Sequence, residues 1–280
     1  MLVFRQLLAA SALLAGLATN PAQAETFHTC GTIINTIPAV INSQGVYCLS
    51  HDVSTAITSG NAIDIKVNNV TIDCNGYKIG GLAAGSTSQA VGINADSTRQ
   101  NITVRNCGIR GFYQGINLQG GAGHLVEDNR LDNNLYVGIN VGGDNNRVRR
   151  NAVYDTGGYA TGAAVGIVAS ADVVGNIVAG VAPVAADTNS LGINLNGDNQ
   201  ARDNVISGVV PTGSGLAYGI STGSYGAVLR DNTIIADSTT NGIGINGNGV
   251  IGAEICSGNV IHKFSTPIFS CSDAGGNFSN

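Results

Sequence analysis

Along most of the chain, apolar and polar residues alternate with a period of two. In "VGIN" from Val91 and "NITVRN" from Asn101, aliphatic side chains take alternate places, as they do in a strand with one buried face. The runs are short. Each is closed by a cluster of Gly, Asn and Asp, such as "GGDNN" from Gly142 and "NGDNQ" from Asn196, residue types that accept the positive φ of tight corners. The pattern predicts many short strands joined by tight corners.

The same words also return on a longer scale. Gly-Ile recurs at Gly92, Gly115, Gly138, Gly166, Gly192, Gly219 and Gly242, at intervals of 23, 23, 28, 26, 27 and 23 residues. Between these marks sits a second signature, apolar-x-polar-Asn-x-apolar, centred on Asn129, Asn151, Asn176, Asn204 and Asn232, with Asn75 and Asn259 as outlying members. A unit of this length, with about three strands, is too small to bury a core alone, whereas stacked units bury one between them. Parallel strands ~4.8 Å apart would set each Ile, Val and Asn over its copy on the next coil. The predicted fold is therefore all-β, a single-stranded right-handed parallel β-helix of about eight coils and ~40 Å in length.

In such a stack the recurrent Asn has a structural role. An inward amide at a corner can bond the backbone of its own turn and the Asn of the next, satisfying polar groups that water does not reach. Cys107 takes the Asn slot in "VRNCGI", and Cys74 stands one place before Asn75 in "IDCNGY". Neighbouring coils would bring these two within bridging range. Cys30 with Cys48 would then pin the first end, and Cys256 with Cys271 the last, bracing strand edges that are otherwise open to association.

Residues 1–24 read as an address. Arg5 is a minimal positive region, Leu7 to Ala18 an apolar stretch, and Ala22-Gln23-Ala24 a small-residue cleavage site. That stretch is shorter than the ~20 residues a membrane span requires, so no span is expected. The expected organisation is one domain over 25–280: an N-terminal cap over 25–60, repeat coils over 61–250, and a last coil with its cap over 251–280. An even count of six Cys in an exported, periplasmic or extracellular chain suits disulfides. With 13 Lys and Arg against 18 Asp and Glu, a nucleic-acid partner held by its phosphates is not expected. The four His (His28, His51, His124 and His262) show no metal spacing.

The segments "GVYCLSHDVS" and "AIDIKVNNVTIDCNGYKIGG", with the repeated "GIN" and "DN" units, resemble secreted parallel β-helix proteins of the pectate-lyase-like superfamily, in particular its NosD-like branch. The likeness covers nearly the whole mature chain, and its motifs speak for architecture more than for activity. It implies that the Gly-Ile strand is the first strand of each coil and that a substrate would lie along it, beside the long corner that precedes it. The inserts "YDTGGYATGAA", "AGVAPVAADTNS" and "SGVVPTGSGLA" all fall in that corner and should form one wall.

If the Ile of each mark points inward, parity turns Asp64, Asn94, Asn117, Asn140, Val168, Asn194 and Ser221 outward, and each Gly leaves the floor low and open. Tyr113 and Tyr136 would stand together at the edge of this floor. Amides suit sugar hydroxyls and rings suit sugar CH faces, so the track is a candidate glycan-binding surface; equally, Asn can solvate a strand and a Tyr pair can stack for stability. The resemblance implies an extracellular polysaccharide as partner, with lyase or glycoside hydrolase chemistry. The alternative is a non-catalytic structural or surface-interaction protein. Asp132 and Asp155, with Arg110 one coil before, are the candidate catalytic groups: carboxylates on adjacent coils could polarise water or hold Ca²⁺, or could simply be turn residues, as Asp144 and Asp198 are expected to be. No match exists to the clustered Asp and His motifs of polygalacturonases or to the Asp-Pro-His-Asp box of alginate epimerases. No cofactor is expected, apart from Ca²⁺ if the protein is a lyase. A further column, Asp73, Arg105, Glu127 and Arg149, should pair opposite charges on the second strand, with Arg202 and Arg230 continuing it after Val174.

Overall fold

The computed structural model describes residues 30–223, 226–247 and 254–280. The predicted leader lies outside them, as does His28. The chain winds into a right-handed parallel β-solenoid of about nine turns. The seven Gly-Ile marks undercount the turns, because the first-strand segments Ala39–Ile41, Asn61–Ile65 and the end of Val260–Phe269 join the stack without one. Among the described residues the sole helical element is a 3-10 turn, Leu82–Ala84.

Register follows the repeat. Ile63, Ile93, Ile116, Ile139, Ile167, Ile193, Ile220 and Ile245 pair in series from coil to coil, and all are fully buried. With Val and Leu from the second and third strands they make one continuous core. Among the described residues no helix is long and apolar enough to cross a membrane.

The last mark falls two residues later than expected, since Gly242 pairs with Ala217 and it is Ile245 of Gly244-Ile245 that pairs with Ile220; the Gly of each mark from Gly92 to Gly219 departs from simple alternation. Pairing skips it, since Gln114 faces Val91 and Ile116 faces Ile93, and the Gly is buried instead of facing outward. A Cβ on Gly138 would lie 2.6 Å from the Gly166 carbonyl oxygen and 2.6 Å from Val153 Cγ1. The backbone bends there so that successive coils and third-strand side chains close onto it. Glycine is required by this close approach, and the expected open floor at the Gly positions is not formed.

The inward amides form a ladder from Asn129 through Asn151, Asn176, Asn204 and Asn232 to Asn259. At each step the backbone N–H and the Nδ2 of one Asn both donate to the Oδ1 of the next, at 2.9–3.1 Å. Asn277 extends it by one rung, accepting from Asn259 at 3.0 and 2.9 Å. Asn75 is not a rung. It is exposed at φ 51°, its Nδ2 donating to Leu49 O, because its corner is longer than the later ones and Cys74 fills the inward place. The Cys107 N–H bonds Asn129 Oδ1 at 3.0 Å, so Cys107 does stand in the Asn slot. Its disulfide to Cys74, with Cα atoms 4.7 Å apart, replaces the amide contact there. Cys30–Cys48 and Cys256–Cys271 bridge the two ends as expected.

Candidate functional site

The outward column of the first strand forms as parity predicts. Asp64, Asn94, Asn117, Asn140, Val168, Asn194 and Ser221 pair in register, and each is half-buried. Four of them are chained: Asn140 Nδ2 donates to Asn117 Oδ1 at 2.9 Å, Asn117 to Asn94 at 2.8 Å, and Asn94 to Asp64 at 3.1 Å. Val168 interrupts the chain, and on its far side Asn246 Nδ2 donates to Ser221 Oγ. Asn94 and Asn117 each use one donor and one acceptor site on their neighbours, and Asn140 one donor, leaving a second N–H and at least one lone pair on each amide toward solvent.

At the open end of the column the charge is balanced locally. Asp64 pairs with Lys66 at 2.8 Å and Asp96 with Arg99 at 2.9 Å. Burial tends to raise the Asp64 pKa, but hydrogen bonds from Lys66, Asn94 and Asn61 and the Lys66 charge outweigh it and hold the carboxyl below the usual range. Hydrogen bonds from Arg99 and Thr98 draw Asp96 down to about 2.

Beside the floor, Tyr113 and Tyr136 stack with ring centroids 4.8 Å apart and planes 10° from parallel. Tyr159 meets Tyr113 edge-on, also at 4.8 Å, and its hydroxyl accepts a hydrogen bond from Gln89 Nε2 at 2.6 Å. The two stacked rings give a face to each other, so the cluster offers edges and hydroxyls more than free faces. Tyr159 and Gln89 escape a reading by repeat because both lie in inserted corners, where no periodic slot marks them.

The inserts do line one side of the solenoid, between the third strand and the next first strand. Segments 182–189 and 210–216 are zipped together: Ser214 N–H donates to Asp187 Oδ1 and Leu216 N–H to Asn189 Oδ1, both at 2.8 Å. The corner over 81–90 joins this wall; without a Gly-Ile mark before it, its length was not conspicuous in the sequence.

The candidate catalytic carboxylates are not brought together. Asp132 pairs in register with Tyr154, not Asp155. It is held by Arg110 Nε at 3.0 Å and Arg130 Nε at 3.6 Å. Asp155 follows one place later at φ 49°, exposed, within the strand Ala152–Thr156. One residue of offset turns the two side chains in different directions.

The second-strand charges do align. Arg105 meets Asp73 and Arg149 meets Glu127, each at 2.8 Å. Arg202 pairs with its neighbour Asp203 at 2.7 Å, and Arg230 reaches Gln200 Oε1. His124, unremarkable in sequence, is 2% exposed. Its Nδ1 accepts from Ile102 N–H at 3.3 Å while its Nε2 meets Gly120 O at 2.8 Å, which requires the neutral ring with the proton on Nε2. Burial pushes its pKa down. Among the described residues no group of three or more His, Cys, Asp or Glu could hold a metal ion.

Stacked parallel coils, an internal amide ladder and a wall on one corner define a right-handed parallel β-helix protein. The family model described as right handed beta helix region matches residues 35–190, more than half of the chain, and the chain belongs to that family. No curated relative matches it. Among solved structures, the Dettilon tailspike protein is 16% identical with a TM-score of 0.40, over 88% of this chain and 56% of its own. An alginate lyase from Paenibacillus sp. str. FPU-7 is 14% identical with a TM-score of 0.42, over 89% and 98%. The catalytic domain of a GH87 α-1,3-glucanase in complex with nigerose is 14% identical with a TM-score of 0.29, over 88% and 63%. The chain thus spans little more than half of the tailspike's length. Likenesses this distant carry no argument about a ligand.

Proposed function

We propose that the protein binds extracellular polysaccharide along the face of its Gly-Ile strands. The observation that carries this reading is the chained amide column from Asn140 to Asp64. It repeats donors and acceptors at the strand spacing of ~4.8 Å, as a hydroxylated polymer lying along the axis would use them. The tyrosine cluster gives one edge of this track an amphipathic border. The three disulfides suit an oxidising compartment, where such polymers are met.

Binding is favoured over hydrolysis. Glycoside hydrolysis needs one carboxyl kept protonated to act as the acid, whereas Asp64 and Asp96 are both held in the ionised form. Asp132 is engaged by two arginines and faces away from Asp155. Binding of this kind needs no cofactor; Ca²⁺ would enter only with elimination chemistry on uronates.

Affinity electrophoresis through gels cast with different polysaccharides tests the proposal. At least one polymer should retard the wild-type chain, and the Asn94→Ala, Asn117→Ala, Asn140→Ala triple variant should migrate as if the polymer were absent, with its unfolding midpoint little changed. If no polymer retards the wild type, the reading is wrong and the structural alternative stands.

A further inference from the structure

The wall is not continuous. Long corners over 81–90 and 157–163 flank two short ones over 111–113 and 133–136, and those short corners carry Tyr113 and Tyr136. The result is a notch across the wall at the level of the tyrosines. Gln89 from one long corner and Tyr159 from the other meet over it in their 2.6 Å hydrogen bond. The same four corners line a cavity of about 230 Å³, with side chains from Leu82, Ser86, Asn133 and Leu135 and with Gly85, Gly111 and Gly157 among its backbone walls.

The size and lining of this cavity are selective. It is smaller than the ~300–1,000 Å³ of pockets that hold drug-sized ligands, so it suits one sugar ring and not an oligosaccharide. No charged side chain lines it, which disfavours a uronate or a sulfated sugar, since an unpaired charge taken out of water is costly. Leu82 is 50% exposed. It offers aliphatic surface beside Leu135, while Ser86 and Asn133 supply the polar contacts.

We infer that this notch is a subsite for a single neutral sugar residue bearing a methyl group, carried either by an acetamido substituent or by a 6-deoxy carbon. The inference rests on the glycan-binding reading and specifies what that surface recognises. The methyl group packs between Leu82 and Leu135, the ring hydroxyls or amide meet Ser86 and Asn133, and the rest of the chain passes the tyrosine cluster toward the amide column.

The test uses the whole chain and its own fluorescence, because eight Tyr and no Trp leave tyrosine emission as the reporter. The ligands are chitotriose, a rhamnose trisaccharide, cellotriose and trigalacturonate. Either chitotriose or the rhamnose trisaccharide should bind about fourfold more tightly than cellotriose, the affinity equivalent of burying about one methyl group. Which of the two does so identifies the methyl's source, and trigalacturonate should bind weakest. Ser86→Leu, which fills the cavity from an exposed position, and Leu82→Asn should each erase that preference while leaving the thermal midpoint unchanged. Equal binding of all neutral trisaccharides, insensitive to Ser86→Leu, overturns the notch inference and leaves the amide column standing. Failure of every glycan to bind overturns both.

Discussion

Replacing Asn176 by Ala in the inner ladder isolates what the buried amides contribute. Asn176 is fully buried. Its Oδ1 accepts from the Asn151 backbone N–H at 2.9 Å and from Asn151 Nδ2 at 3.0 Å, and its Nδ2 donates to Val148 O and to Asn204 Oδ1, both at 3.0 Å. Truncation removes all four contacts, but their consequences differ. Asn151 Nδ2 keeps Val126 O and Arg149 O, and Asn204 Oδ1 keeps the Asn176 N–H. The Asn151 N–H is left without its acceptor in a place water does not reach. An orphaned buried donor costs ~1–3 kcal/mol, and the remaining bonds contribute roughly 0.5–1.5 kcal/mol each before partial compensation, so the expected loss is about 3 kcal/mol. Urea titration reads it as a lower midpoint at unchanged slope. Asn117→Ala is the control: its amide lies in the half-buried outer column, where water can replace the lost partner, and about 0.5 kcal/mol is expected. A loss at Asn176 no larger than at Asn117 would refute the reasoning, because it would mean that water enters the corner and the ladder seals nothing.

Other perturbations test other links. His124 is neutral when folded and its pKa is depressed by burial. Its share of stability is therefore full above the unfolded value of ~6.5 and is lost as pH falls below it. The His124→Asn variant, which copies the Asn146 slot of the next coil, should show a flatter pH profile between about pH 7 and pH 5; parallel profiles would show that another group titrates. Gly138→Ala places a methyl 2.6 Å from the Gly166 carbonyl oxygen and Val153 Cγ1, and should cost at least ~1–3 kcal/mol by overpacking, read as a fall in thermal midpoint. Removing the Cys74–Cys107 bridge, which closes a separation of 33 residues, should cost about 3–4 kcal/mol in the chain-entropy account; urea titration of the Cys74→Ala, Cys107→Ala variant reads that loss with the two end bridges intact, and reduced wild type, with all three bridges open, should be no more stable than this variant.

Periodicity by itself determined the winding, the inward isoleucines, the outward amide column and the Cys74–Cys107 bridge, leaving the end bridges to the cysteines outside the repeats. These properties depend on which copies share a slot, and a repeat states its slots directly: once Ile116 lies over Ile139, Asn117 must lie over Asn140. The rungs of the ladder were equally legible, except where a corner changed length. At Asn75 the longer corner passed the inward place to Cys74, and Asn277 was hidden because the last turn no longer copies the unit. Only the tertiary structure decided what the glycines and the inserts do. The glycines of Gly-Ile face inward because the third strand of the same coil presses on them, a contact that alternation along one strand does not contain. Tyr159 reaches Tyr113, and Gln89 reaches Tyr159, through corners of unequal length whose paths no repeat describes. Asp132 and Asp155 part by a single residue of register. A repeating sequence encodes the side-chain columns of its solenoid because hydrogen-bonded strands hold each copy at a constant spacing, whereas the wall arises where that constraint lapses and the chain packs on whatever its neighbours leave open.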